Sequence, residues 1–251
     1  MRIEANSVRS ANRRFYDLVA DVYEKVDGRR RDVIPTWLMD IMRHIAQKAP
    51  VGPYLDIGCG TGWLIKCAAH FFSDRYGCDI SPVILKHARG QCRDCISNQA
   101  EALPYKNQSF AVISLFATLH HLPEWGPVVE EIHRVLKPGG WLYTDHDIDS
   151  VFLDRFRWPL SIYRGLRNAS GRYHEACPGI TKELYFLSEI HENTGVNAIM
   201  LERMLKRAGF ASVTLKWHWL GIHPIFDLVG GIVGVRNSPG FAPNLRIIAQ
   251  K

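Results

Sequence analysis

The chain predicts an α/β fold of the doubly wound kind, and three observations carry that reading. Residues 51–57 form an apolar run that reads as a short buried strand. The loop Gly58-Cys59-Gly60-Thr61-Gly62 follows, with glycine at alternate positions, and residues 63–69 then start a helix. Glycines let the backbone approach a ligand, and a helix N-terminus presents free N–H groups, so this turn is of the nucleotide-binding type. The second observation is Asp79, which ends the strand-like stretch 75–81 at 21 residues past Gly58. At that distance an acid at a strand tip accepts hydrogen bonds from ribose hydroxyls. The third is the alternation of strand-like and helix-like segments that runs on to residue 149.

Taken in order, residues 1–10 read as a loose tail. From Ala11, the residues Phe15, Leu18, Val19, Val22, Tyr23 and Val26 recur at three- and four-residue steps, the mark of an amphipathic helix. A second helix spans 34–47, and Pro50 and Pro53 mark the turn into strand one. Ser81-Pro82 opens a helix after strand two, with serine as the cap and proline at the first position. Residues 108–115 are a strand. Residues 128–136 are a helix closed by Lys137-Pro138-Gly139-Gly140, and strand five begins at Trp141. Asn197 caps a helix that Gly209 closes. Residues 211–217 and 245–249 are strands six and seven. An N-terminal helical lid (1–48) and a main domain (49–251) with a cap inserted at about 150–195 complete the organisation.

Composition narrows the class. The chain has 251 residues, 47% of them apolar, which suits one large globular α/β unit. No run of 18 apolar residues and no apolar leader are visible, and six scattered cysteines suit reduced thiols in a cytoplasmic protein. Cys92 and Cys95 form a lone CxxC pair, which reads as thiols rather than a metal site. A net charge of +6 over this length is a weak signal for nucleic acid.

The loop discriminates between ligands. A dinucleotide site wants glycine or alanine five residues after its first glycine, and Trp63 stands there instead. Asp56, just before the loop, would repel a pyrophosphate. A zwitterionic amino-acid moiety suits the turn better, its ammonium near a carboxylate and its own carboxylate at the helix N-terminus. Residues 55–62 resemble the first motif of the class I S-adenosylmethionine (SAM)-dependent methyltransferases. Two further segments are similar to that family: 98–105, which resembles its A-E-x-L-P-[FY] stretch, and the E-x-x-R-V-L-K-P-G-G turn ending at Gly140. Tyr16 and Tyr23, in a Y-D-x-x-A-x-x-Y spacing, resemble the lid of the quinone-biosynthesis-like small-molecule branch.

The resemblance implies a seven-stranded Rossmann-like sheet in the order 3-2-1-4-5-7-6 with the last strand antiparallel. It implies SAM as cofactor, with Asp56, Gly58, Cys59, Gly60 and Gly62 around the methionyl part and Asp79 on the ribose. Ile80, Gln99, Ala100 and Glu101 would form the adenine rim, and Phe116 would wall the sulfonium. Tyr16 and Tyr23 would close over it, where ring faces attract a cation. At the end of strand four, 118–122 reads T-L-H-H-L rather than the base-holding motif of nucleic-acid methylases, so a small acceptor is expected and nucleic acid is not. His121, His120 and Tyr23 are the candidates to orient or deprotonate that acceptor. The aromatic, basic cap implies a hydrophobic or aromatic acceptor, methylated on oxygen, nitrogen or carbon. The acids 145, 147 and 149 alternate, but the matching acid on strand four is missing and no metal is expected. RNA methylation and a non-catalytic SAM-binding scaffold are the alternatives. The apolar stretch 220–244 leaves contact with a membrane or a partner open, and the oligomeric state is not indicated.

Overall fold

The computed structural model describes residues 4–27, 34–222 and 238–251. The chain begins with α1 (Ala5–Val19), α2 (Tyr23–Asp27) and α3 (Thr36–Lys48). The α/β body follows as β1 (Tyr54–Ile57), α4 (Trp63–Ala68), β2 (Arg75–Asp79), α5 (Leu85–Ala88), β3 (Asp94–Ser97) and β4 (Phe110–Phe116). After α6 (Trp125–Val135) and β5 (Leu136–Ile148) come four helices: α7 (Ser150–Arg155), α8 (Arg157–Arg167), α9 (Ala169–Ala176) and α10 (Lys182–Ser188). The chain ends with α11 (Ala198–Ala208), β6 (Ser212–His218) and β7 (Asn244–Gln250).

The seven strands pair in the order β3-β2-β1-β4-β5-β7-β6, with β7 antiparallel to both neighbours, as the family resemblance implied. Side chains alternate across a strand, so each strand feeds two cores. Leu55 and Ile57 join Ile113, Leu115, Leu142 and Ile247 beneath α6 and α11. Tyr54, Val112 and Tyr143 face the other way, onto Leu38, Met42 and Ile45 of α3 and Leu64 and Ile65 of α4. The parallel strands β1 and β4 are buried on both faces, which explains their unbroken apolar reading.

Several expectations are corrected. Residues 4–10 are not a tail: α1 begins at Ala5 because Val8 extends the stripe of Ala11, Phe15 and Val19, all buried. The helix from Ala11 is not continuous to Val26, since a turn at 20–22 separates α1 from α2. Strand one starts at Tyr54, after Pro53, and Val51 is 97% exposed. Ser81 caps only a turn, its Oγ accepting from the Ile84 N–H at 3.1 Å before the short helix α5. The Lys137–Gly140 turn is absorbed into β5 as an irregularity in its pairing with β4, with Gly139 at φ +74°. Cys92 and Cys95 are joined as a disulfide rather than standing as thiols, brought together where a bridge pairs Arg89 with Cys92. Of the stretch 220–244, residues 223–237 lie outside the described residues. Among the described residues no helix is long and apolar enough to cross a membrane.

The caps at α11 stand as expected: the Asn197 side chain accepts from the Met200 N–H at 2.9 Å, and Gly209 closes the helix at φ +105°. Asn197→Ala is expected to cost about 1 kcal/mol, lowering the melting temperature by roughly 2–4 °C in calorimetry.

Candidate cofactor and acceptor site

A cleft with about 710 Å³ of empty space, its open mouth included, lies at the carboxyl ends of β1, β2 and β4. Its floor is Ile57, Gly58 and Gly60, one side is Cys78, Asp79 and Ile80, and the far rim is 98–101. Ala117, Thr118, His121, Leu122 and Pro123 form the opposite wall, and Arg9, Asn12, Tyr16 and Tyr23 roof it. Gly58 sits at φ +69°, and a Cβ there would stand 2.5 Å from the Thr118 methyl. Only glycine brings the loop this close to the strand-four end.

Asp79 organises the floor. One carboxylate oxygen accepts from the Gly60 N–H at 2.9 Å and the other from the Ser81 N–H at 3.0 Å. A carboxylate at this place supplies the acceptor chemistry that a pair of ribose hydroxyls requires. Helix α1 is tied across the cleft at four points. Arg9 pairs with Glu101 at 2.9 Å, and Asn12 donates to the His121 carbonyl at 3.0 Å. Tyr16 meets His121 Nε2 at 2.8 Å, and Ser81 Oγ donates to Asp17 at 2.6 Å. The rings of Tyr16 and Tyr23 meet edge to face with centroids 5.7 Å apart. Residues 9, 12 and 16 share one helical face, the signal by which Arg9 and Asn12 could have joined the site on sequence alone.

The two histidines differ sharply. His121 Nδ1 lies 2.7 Å from the Ser188 carbonyl, which can only accept, so Nδ1 carries the proton. Nε2 is then bare and accepts from the Tyr16 hydroxyl. Burial, with His120 alongside, pushes the imidazole down to about 3, so His121 is neutral. His120 turns away from the cleft, with Nδ1 2.7 Å from Asp147 and Nε2 3.4 Å from Glu189. Burial drives Asp147 up to about 7.

The structure brings Tyr16, Tyr23, Gly58, Gly60, Asp79, Ile80, Gln99, Ala100, Glu101 and His121 to one cleft. Five other candidates lie outside its lining. Asp56 sits beneath the floor, 2% exposed, accepting from Ser114, which in turn contacts Tyr54. Cys59 is a buried thiol whose pKa burial pushes well up, and Gly62 supports the start of α4 against Ala88. Phe116 stacks on His146 with centroids 4.3 Å apart, and Ala117 and Thr118 take the wall position expected for it. His120 is the fifth.

The carboxylate at the β2 tip, the glycine floor and the apolar rim of Ile80 and Ala100 fit an adenosine, and the paired tyrosines fit a cation beside it. The sheet order is that of the class I SAM-dependent methyltransferase fold, with the cleft at the carboxyl ends of its central strands. Residues 55–144 match the methyltransferase domain family Methyltransf_11. That match spans the glycine loop, the β2 tip and the strand-four end, so these residues read as a SAM-dependent methyltransferase domain.

A demethylmenaquinone methyltransferase of Lysinibacillus sphaericus (strain C3-41) is 30% identical over 138 residues, covering 50% of this chain and 57% of that protein. The chain thus spans a little over half the length of that relative. Two solved structures share the fold. A SAM-dependent methyltransferase of Thermotoga maritima, described as a possible histamine N-methyltransferase, superposes with TM-score 0.61 at 20% identity, over 95% of this chain and 99% of that one. The cyclase SpnF superposes with TM-score 0.59 at 20% identity, over 95% and 94%.

The Arg9–Glu101 pair closes the roof on the rim. Arg9→Gln is expected to weaken binding of S-adenosylhomocysteine by about 1 kcal/mol, roughly fivefold, and to reduce its salt dependence in calorimetry.

Proposed function

We propose that this protein transfers the methyl group of SAM to a small, hydrophobic or aromatic acceptor, of the kind a reduced quinone represents. The observation that carries the reading is the roofed cleft, in which the candidate adenosine contacts and the tyrosine pair surround one space. Bound SAM would supply an electrophilic methyl on a positively charged sulfur. Asp79 would hold the ribose, Ile80, Gln99, Ala100 and Glu101 the adenine rim, and Gly58 and Gly60 the methionyl part. Tyr16 and Tyr23 would close over the sulfonium and exclude water.

His121 suits positioning better than deprotonation. An imidazole held near 3 by burial is a weak base, so it would hold the Tyr16 hydroxyl in place and leave the acceptor to bring its own nucleophile. A phenolate or an electron-rich ring carbon meets that condition; an aliphatic alcohol does not. The demethylmenaquinone acceptor named for the relative points the same way, as does the aromatic character of 150–195. The β4 end, Ala117 to His121, lacks the base-holding motif and weighs against RNA. A non-catalytic SAM-binding scaffold is the other alternative, and the cyclase among the solved structures shows that this fold is not confined to proteins named as methyltransferases.

The test is transfer of radiolabelled methyl from SAM to a panel of reduced naphthoquinones, simple phenols, aliphatic alcohols and mixed RNA. Label in a naphthoquinone or phenol is the expected result. Label confined to RNA, or to none of them while SAM binds, would overturn the reading in favour of one alternative or the other.

A further inference from the structure

We propose that His120, His121 and Glu189 hold a divalent transition-metal ion of the zinc class at the rim of the cleft. The donor atoms of these three side chains lie within 4.8 Å of one another, and all three residues are partly buried. Two imidazoles and one carboxylate are a familiar donor set for such an ion.

The geometry around His120 is that of a metal ligand backed by a carboxylate. Asp147 Oδ1 accepts from both the backbone N–H of His120, at 3.0 Å, and its ring Nδ1, at 2.7 Å. That fixes the ring orientation and directs Nε2 at Glu189, as carboxylates behind zinc-bound histidines do. Nε2 and the Glu189 oxygen are 3.4 Å apart. A charge-assisted hydrogen bond would close to about 2.7–2.9 Å. Two ligands each about 2.1 Å from a tetrahedral ion stand about 3.4 Å apart, which matches the observed separation.

The frame is preformed. Leu119–His121 is a single 3-10 turn, and the His191 N–H donates to the His120 carbonyl at 3.1 Å, holding the Glu189 segment to it. His121 Nδ1 stands 4.0 Å from the second Glu189 oxygen and now donates to Ser188. To ligate, it takes the other tautomer and turns its Nδ1 off the Ser188 carbonyl toward Glu189, and Nε2–H then donates to Tyr16, whose hydroxyl serves as readily as acceptor. Glu189 supplies a negative charge against the ion, and Asp147 backs His120 from behind. The other His/Asp group among the described residues, Asp145, His146 and His218, already holds a cation, because the Arg246 guanidinium lies 2.6 Å from Asp145.

The test uses full-length, tag-free protein stripped with a chelator, titrated with Zn²⁺ by calorimetry and with Co²⁺ by visible absorption. One equivalent of Zn²⁺ is expected to bind at micromolar concentration or below, and Co²⁺ is expected to give the intense d–d bands of a four- or five-coordinate site. Glu189→Gln and His120→Gln should each weaken binding at least 100-fold, and Asp147→Asn should weaken it roughly 10- to 100-fold. His44→Gln, on α3, should change nothing. Absence of stoichiometric binding by the parent protein overturns the proposal whether or not the variants fold. Parent-like binding by folded Glu189→Gln and His120→Gln overturns it too. SAM binding is measured separately, so failure of the metal site and failure of the methyl-transfer reading are distinguishable.

Discussion

Asp79→Ala is expected to weaken SAM binding by about 2–3 kcal/mol, roughly 30- to 150-fold. Two effects add. On the proposed reading bound ribose would lose a charged acceptor, and the Gly60 and Ser81 N–H groups lose the carboxylate that holds the loop in shape. Asp79→Asn keeps one carbonyl oxygen, which cannot serve both backbone donors and the ribose, so its loss should be intermediate. Calorimetry with S-adenosylhomocysteine reads the affinity, and thermal unfolding reads the loop. A variant that binds as tightly as the parent removes the floor geometry from the account.

The largest stability effect is expected at Asp145. Its carboxylate is fully buried on β5, accepting from Tyr143 at 2.8 Å, Arg246 at 2.6 Å and His218 at 2.7 Å. Burial opposes its charge, but Arg246, His146 and His218 together hold its pKa well below 3.8. Asp145→Asn leaves the Arg246 cation buried without a countercharge. Breaking such a pair costs about 3–5 kcal/mol, or roughly 6–20 °C in melting temperature for a chain of this size. The double variant Asp145→Asn/Arg246→Met should recover much of that loss, because the stranded charge is gone.

The same cluster sets a pH dependence. A carboxylate held below its unfolded value contributes stability that is complete above about pH 4 and is lost as pH falls toward the depressed value. Burial likewise holds His218 below 6.5, so its contribution is present above that pH and declines as acid protonates the unfolded chain. Melting temperature measured from pH 7 to pH 3 should therefore fall toward the acid end. In Asp145→Asn the portion of that fall below pH 4 should be smaller.

The central architecture is plain from the sequence because β1 and β4 are buried on both faces, and buried strands read as apolar runs. The loop from Gly58 to Gly62 is legible because positive φ at all three of its glycines demands that residue. Asp79 is legible by spacing. The edges are less so. β3, Asp94–Ser97, is half-exposed and carries no apolar run, so only the family order implies it. The start of α1 is masked by Asn6, Ser7 and Ser10, poor helix formers whose helix is stabilised by the packing of Val8 and Phe15 instead.

Within the site, what the sequence hides is mostly long-range. Arg9 meets Glu101 across 92 residues, and His121 meets Ser188 across 67. No local pattern encodes such pairs. Phe116 and His120 show the opposite failure. Each sits next to a cleft residue in the chain, yet successive side chains at the end of a strand or on a 3-10 turn point in different directions. Adjacency in sequence places the backbone near the cleft without placing the side chain in it.

The most direct measurement of the account is calorimetric titration of the full-length protein with S-adenosylhomocysteine and, in parallel, with a nicotinamide dinucleotide. One equivalent of S-adenosylhomocysteine bound at micromolar concentration or below, unaffected by the dinucleotide, is the predicted result. No binding by SAM or S-adenosylhomocysteine, or displacement of either by the dinucleotide, would contradict it.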